Sequence, residues 1–466
     1  MMKIFLVFFF SNLVFAQDLS LESYLSIVKK NNVSFEATEK SIEASTLKVH
    51  EADLLTMPQF FTNFLHLDDK KPRTNPSLEG TGLTNDSLSF GLEGQNRFGT
   101  SGKIYYSFGH TQIKDLPAPY SSSAQSYTGA PSFELKQSFW RNGFGSETKA
   151  TEALIENSHK ANAFGKKYEL KLQLIQAETI YQQLALARET VRIQKEALER
   201  TQKIRDWNAK RVTMGLADKV DLLQAEAGLQ LKTFDLKNAL DDEKNVARIF
   251  NSLRSIDSDV VVETIKKVSE SDLDLPLYYK KVDEREDLTA LHFSKELALS
   301  NARQSAEKVK PNLDLVASAS FNSSEKVESL AVSQSLKSDY PLWTIGVNFK
   351  APLDIFTTHK LQNAYDIDSM SADLNYKRKK FESENEYKNL SKSLEDARAR
   401  FELAKKMEKL QLEKLAYEKD RLFKGKTVTY QVLQFEIDYA NAELMRLREE
   451  AKIVSILANL KTYIVR

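Results

Sequence analysis

The chain has 466 residues and no cysteine, which excludes disulfides, thiolate metal sites, cysteine nucleophiles and a lipid-bearing N-terminal cysteine. Its 66 basic and 65 acidic residues leave a formal net charge of +1, and no long block of one sign offers a face to nucleic acid. Six of the 10 prolines lie between Pro58 and Pro131, whereas none lies from Ser132 to Leu275 or from Leu353 to Arg466, so long helical stretches alternate with non-helical ones.

Lys3, the apolar run Ile4 to Phe10 and the small-residue signal Val14-Phe15-Ala16 before Gln17 read as a secretory signal peptide over residues 1–16. The run is far short of the roughly 20 residues that span a bilayer. A helix is expected from Val33 to Met57, ended by Pro58, with Asp18 to Asn31 joining a belt at mid-length. Leu88, Phe90 and Leu92, a turn centred on Gly99, and Ile104, Tyr106 and Phe108 predict a hairpin that either adds strands to a barrel or caps it. Asp115 to Pro131 reads as an exposed loop. Phe133, Leu135 and, less regularly, Phe139 continue the alternation, and Trp140 stands near its end.

From Gly145 to Gly215 and from Asp354 to Gly425 run two stretches of about 70 residues each, about 100 Å as helix. The return helices Ala217 to Leu253 and Arg285 to Lys310, placed end to end, approach that length, as do Thr427 to Tyr463 with Val33 to Met57. The irregular Arg254 to Glu284 stretch, with Pro276, falls at the joint. Between Pro311 and Pro352, Leu313, Leu315, Ala317, Ala319 and Phe321 face one way, and Asn312, Asp314, Val316, Ser318 and Ser320 the other. Ile345, Val347 and Phe349 repeat the pattern, and with Tyr340 and Trp343 they suit membrane-spanning strands edged by interfacial aromatics. In the last helix, Leu433, Ile437, Ala440, Leu444, Leu447, Ala451, Val454 and Ala458 form a seven-residue seam that needs a partner.

An offset of 210 positions lays Gly215 on Gly425, Leu223 on Leu433, Gln224 on Gln434 and Glu226 on Glu436. A second offset lays Phe35 on Leu288, Ala37 on Ala290 and Pro58 on Pro311. The chain therefore reads as two copies of a helix–strands–long helix–return helix plan. The first spans residues 17–268, with strands in 59–140 and a hairpin tip at Gly215. The second spans 269–466, with strands in 312–352 and a tip at Gly425. The expected class is mainly α with a membrane β-barrel. Four strands from one chain cannot close a barrel, and bare strand edges are untenable in lipid. Several chains must then share one β-barrel continuous with an oligomeric α-helical barrel.

No catalytic constellation emerges. The six histidines are scattered without a metal-ligand pair, so no metal is expected. Nucleophile elbow, phosphate loop and dinucleotide fingerprint are absent. No enzyme activity or cofactor is expected. The rival from another class is a periplasmic coiled-coil scaffold or adaptor, which the helical hairpins alone would fit but the aromatic-edged strands would not.

Order and motifs together resemble the TolC-like outer-membrane efflux family across the chain after residue 16. The motifs are Arg211-Val212-Thr213-Met214-Gly215-Leu216 leading to Asp221-Leu222-Leu223-Gln224-Ala225-Glu226, the partner stretch around Gly425, Gln137-Ser138-Phe139-Trp140-Arg141-Asn142-Gly143-Phe144-Gly145, and Ala351-Pro352-Leu353-Asp354. The resemblance implies a homotrimer in outer-membrane lipid, with twelve barrel strands if each chain gives four and a helical barrel projecting into the periplasm. It would serve as exit duct of a tripartite efflux or type I secretion system, taking substrate from an inner-membrane pump or ABC exporter through a periplasmic adaptor. Adaptor hairpins would dock at Met214, Gly215, Leu216, Lys424, Gly425 and Lys426. The family narrows its periplasmic entrance with acidic residues just after each turn. Asp221 matches, but Gln431 and Gln434 stand in the second copy, near the basic Arg421, Lys424 and Lys426. A resting gate would pair Lys210, Arg211 or Arg421 with Asp218 or Asp221. Rings of charge bias pore selectivity, so planar-bilayer recordings should give a weakly selective or anion-tolerant reversal potential; strong cation selectivity would contradict this reading.

Overall fold

The computed structural model describes residues 18–116, 118, 124–266, 285–337 and 339–463; the signal-peptide reading and residues 267–284 of the expected joint, Pro276 among them, lie outside them. In chain order the strands are β1 (Asp18–Leu19), β2 (Gln59–Asp69), β3 (Gly82–Gln95), β4 (Thr100–Lys114), β5 (Gln125–Ser138), β6 (Thr264–Ile265), β7 (Asn312–Phe321), β8 (Ser323–Glu325) and β9 (Pro341–Lys350). The helices are α1 (Leu21–Asn31), α2 (Val33–Lys48), α3 (Pro76–Glu79), α4 (Ser146–Thr213), α5 (Lys219–Leu253), α6 (Glu286–Lys308), α7 (Glu328–Ser335), α8 (Ile355–Phe423) and α9 (Thr429–Leu460). The chain divides into two units. One holds Met1–Ile42, Phe164–Leu288 and Lys379–Arg466; the other holds Glu43–Ala163 and Thr289–Arg378.

The second unit carries an antiparallel sheet in the order β2-β3-β4-β5-β7-β9, with the short β8 paired to β5. The hairpin that the sequence left between wall and cap is β3 and β4, and it lies inside this sheet, between β2 and β5. One chain thus supplies six long strands where four were expected. Part of the expected loop from Asp115 to Pro131 is strand as well, since β5 begins at Gln125. Pro131 sits where β5 changes partner: Gly129 pairs with β8 and Ser132 with β7. A residue without an N–H is tolerated at such an interruption of the ladder.

Approaching Pro58, the chain abandons the α-helix expected through Met57. From Val49 to Leu55 it tightens into a 3-10 helix, consistent with the bias against α geometry immediately before proline. At the far end of β5, Asn142 and Phe144 take positive φ, and Gly145 follows at φ 78°. A Cβ on Gly145 would fall 1.8 Å from the Arg97 carbonyl oxygen, so this strand-to-helix junction requires glycine. The Asn142 side chain accepts the Thr148 N–H at 3.0 Å, satisfying a donor in the first turn of α4.

In the first unit, Tyr24, Tyr181 and Phe250 are fully buried, and Tyr24 stacks on Phe250 with centroids 4.1 Å apart. Burial pushes the Tyr24 hydroxyl well above the ordinary tyrosine range and raises that of Tyr181. The Tyr181 hydroxyl donates to the Leu19 carbonyl at 2.6 Å and accepts the Lys266 N–H at 3.2 Å. Those contacts bracket the parallel pair β1–β6, in which Asp18 faces Thr264 and Leu19 faces Ile265. The Asn251 amide donates to the carbonyls of Ser258 and Val260, and Arg188 donates to those of Glu263 and Val261. Irregular backbone is thereby given partners.

If aromatic packing holds this joint, Phe250→Ala should destabilise the helical unit by about 3–5 kcal/mol. Tyr181→Phe, which loses hydrogen bonds alone, should destabilise it by about 1 kcal/mol. Thermal melts followed at 222 nm in detergent would rank the two variants, and equal losses would show that packing is not dominant.

Candidate functional site

Two features could carry function: the glycine turns of the first unit and the two faces of the sheet in the second. The turns share one hydrogen-bond pattern. Gly215 N–H bonds to Val212 O at 3.0 Å and Leu216 N–H to Arg211 O at 2.8 Å; Gly425 N–H bonds to Leu422 O and Lys426 N–H to Arg421 O, both at 2.9 Å. This is a Schellman closure with the glycine left-handed, at φ 69° in each turn. Met214, Gly215, Leu216, Lys424, Gly425 and Lys426 are all exposed, Met214 by 69% and Leu216 by 63%.

Of the cations expected to gate the entrance, Arg211 and Arg421 have other partners within the chain. Arg211 donates to Leu216 O at 2.8 Å and lies over Trp207, its guanidinium 4.6 Å from the ring centroid. Arg421 donates to Lys426 O at 3.1 Å and pairs with Glu418. Each arginine thus ties down its own turn, supplying a donor to the carbonyl of the residue that follows the glycine. Lys210 accepts through its carbonyl from Met214 N–H, Asp218 caps α5 by accepting from Val220 N–H at 3.1 Å, and Asp221 is partly exposed in the first turn of α5. Gln431 and Gln434 are exposed on α9, and Gln434 bonds to Asp438.

Above the second turn, polar residues that the sequence did not single out join the helices. Thr429, the first residue of α9, donates to Asn208 of α4 at 2.7 Å, and both are buried. Arg200 of α4 and Lys419 of α8 both meet Glu436 of α9, which is 1% exposed. Arg192 reaches Glu443 at 3.2 Å while also holding Glu189 and Glu196. Ile204, Leu415, Leu422, Val432, Leu433 and Tyr439 pack around these groups, and Trp207 meets Phe423 edge-on. The seam read from the sequence is buried at Leu433, Ala440, Leu447, Val454 and Ala458, but Val432, Glu436, Tyr439 and Glu443 form a second buried stripe. A single seam presumes one neighbour, whereas α9 has both α4 and α8. Glu436, matching Glu226 across the repeat, was the available signal.

In the sheet, one register row reads Phe60, Leu92, Ile104, Phe133, Ala319, Trp343 across all six strands. The adjacent row reads Gln59, Glu93, Lys103, Glu134, Ser318, Thr344. Side chains of neighbouring rows point to opposite faces, so at these two rows one face is apolar and the other polar and charged, while the next row on the polar side, Phe61, Gly91, Tyr105, Ser132, Ser320, Leu342, mixes both. The polar face holds its charges in pairs: Lys103 with Glu93 at 3.3 Å, Lys136 with Asp314 at 2.9 Å, and Tyr105 donating to Glu134 at 2.9 Å. The apolar face is open; Trp343 and Ile345 are 68% and 79% exposed. Of the aromatics expected at a membrane interface, Trp343 lies within β9, Tyr340 just before it and Trp140 just beyond β5, all exposed. Among the described residues, no helix is long and apolar enough to cross a membrane, and no group of three or more His, Asp or Glu residues could hold a metal.

Neither a family model nor a curated protein matches the sequence. Solved structures do match in three dimensions. VceC from Vibrio cholerae aligns at TM-score 0.68 and 13% identity over 95% of each chain. CusC aligns at 0.69 and 13% over 96% of this chain and 93% of its own, and the CmeC outer-membrane channel of Campylobacter jejuni at 0.66 and 15% over 95% and 85%. The chain has the fold of the TolC-like outer-membrane efflux channels. At this identity the likeness lies in backbone course rather than side chains.

Burial raises the Glu443 carboxyl above its ordinary value, against the opposing pull of Arg192 and Arg200. The folded chain then holds a proton that the unfolded chain releases. The associated stability is present below the ordinary glutamate range and is lost as pH rises through the raised value. Glu443→Gln should therefore flatten the fall of the melting midpoint with rising pH above about 4.5. Identical slopes in parent and variant would show that Glu443 ionises as freely folded as unfolded.

Proposed function

We propose that this protein is an outer-membrane exit duct of a tripartite efflux or type I secretion system and catalyses no reaction. The observation carrying this reading is the exposed sheet in which the row Phe60, Leu92, Ile104, Phe133, Ala319, Trp343 is apolar or small across six strands while the row beside it, from Gln59 to Thr344, is polar throughout. A soluble sheet would bury its apolar face, whereas a barrel wall turns it to lipid and its polar face to water. The fold likeness over nearly the whole chain supports the same reading.

On this proposal residues 1–16 are a signal peptide, residues 17–268 and 269–466 are the two structural repeats, and three copies share one barrel. The helices stand in the periplasm, where the turns at Gly215 and Gly425 receive an adaptor bound to an inner-membrane pump or ABC exporter. Exposed Met214 and Leu216 beside exposed Lys424 and Lys426 offer one apolar and one basic docking surface. The entrance gate still draws on Lys210, Arg211, Asp218, Asp221, Arg421, Gln431 and Gln434. Since Arg211 and Arg421 are committed to their own turns within the chain, gating by Asp218 or Asp221 would act between copies. A periplasmic scaffold or adaptor accounts for the helices but leaves the exposed Phe60, Trp343, Ile345 and Phe349 without a role.

Fractionation of expressing cells should place the protein in the outer membrane, resistant to high-salt extraction. Purified protein should conduct ions in planar bilayers. Release by salt together with silent bilayers would overturn the proposal.

A further inference from the structure

We propose that the β3–β4 hairpin is part of the barrel wall, so that three copies joined β2 to β9 close a barrel of eighteen strands, three times the six of each chain. This rests on the shared-barrel reading above and goes beyond it, because that reading alone is satisfied by four strands per chain with the hairpin outside.

The register carries the inference. Every residue of β2 from Gln59 to Asp69 pairs with β3, and β4 pairs with β5 from Thr100 to Gln112, so the hairpin separates β2 from β5 along the full length of β2. The hairpin also obeys the faces of the remaining wall: Leu88, Phe90 and Leu92 lie on the apolar side, Ser87, Ser89 and Glu93 on the polar side. A cap standing outside the barrel has no need of that alternation. Lys103 and Glu93 meet on the polar face, so hairpin side chains line the water-filled side.

The bare edges commit to a second copy. β2 has 11 residues and β9 has 10, too long and apolar at Phe60, Phe64, Ile345 and Val347 to remain unpaired. All neighbours in the sheet are antiparallel, and an even strand count makes β9 run opposite to β2. The β9 edge of one copy therefore continues the antiparallel ladder on the β2 edge of the next, and a head-to-tail ring closes without a mismatched pair. Barrel diameter grows roughly in proportion to strand number, so this exit is about half again as wide as a twelve-stranded one. It would pass bulkier hydrophilic cargo.

The chain has no cysteine of its own, so disulfide trapping in the full-length protein tests the arrangement directly. Thr62→Cys would be combined in turn with Trp343→Cys, Ile345→Cys and Val347→Cys, all on one face. At least one pair should give interchain disulfide-linked species on non-reducing gels, while Asn63→Cys, on the opposite face, should give none with the same partners. Phe60→Cys with Phe133→Cys or Leu135→Cys tests the four-strand alternative. In the six-strand wall β2 and β5 are three strand spacings apart, about 14 Å, beyond disulfide reach, and no intrachain bond should form. Native mass spectrometry of the same samples separates the two readings. A trimer with the β2–β5 disulfide, or without any β2–β9 disulfide, overturns the eighteen-stranded wall and leaves the duct standing, whereas a monomer overturns both.

Discussion

In lipid, a backbone N–H or C=O without a hydrogen-bond partner is penalised by several kcal/mol, and this constraint governs how the sheet unit can exist. Five ladders satisfy the interior of the six-strand sheet. They leave two outer edges, on β2 and β9, that no element of the sheet covers. Once the apolar face is read as lipid-facing, pairing of those edges follows from the chemistry of the backbone. The side chains then divide the labour. Ala319 and Trp343 stand in an apolar row, and Ser318 and Thr344 in the polar row beside it.

The helical unit solves a different problem. α9 is buried on two stripes, and four of the groups involved, Thr429, Glu436, Glu443 and Asn208 opposite, are polar. Long helices packed by small and aliphatic residues alone can slip by a heptad with little penalty. A buried carboxylate that meets Arg200 and Lys419 at one register only removes that freedom, since a shifted helix would leave the charge unpaired. Registry thus rests on polar contacts, while bulk stability rests on clusters such as Leu394, Phe401 and Ile453. The turns are fixed independently, by glycine φ and by Arg211 and Arg421 closing on carbonyls five residues ahead.

Much of this was legible in the chain. Proline gaps, Gly215, Gly425 and the alternation from Leu313 to Phe321 foretold long helices and strands, because backbone rules act within a few residues. The Gln137 to Gly145 motif marked a strand-to-helix junction, although its positive φ values at Asn142 and Phe144 were not readable, being imposed by neighbours such as Arg97 and Glu307 from elsewhere in the chain. The partner of Arg211 within its own chain was not readable, because helix-end geometry, rather than nearness to Asp218 in sequence, turns that arginine toward Leu216 O.

By itself the sequence determined where the long helices run, which side is apolar in strands such as Leu313 to Phe321, and where the chain reverses at Gly215 and Gly425. Those properties depend on periodicity and on glycine and proline, which are local. Tertiary structure alone decided that β3 and β4 stand between β2 and β5, that Glu436 and Glu443 lie inside, and that Tyr181 ties Leu19 to Lys266. Strand order and buried charge pairing join residues tens to hundreds of positions apart, and no local pattern encodes which distant partner a hydrogen-bonding edge or a carboxylate will meet.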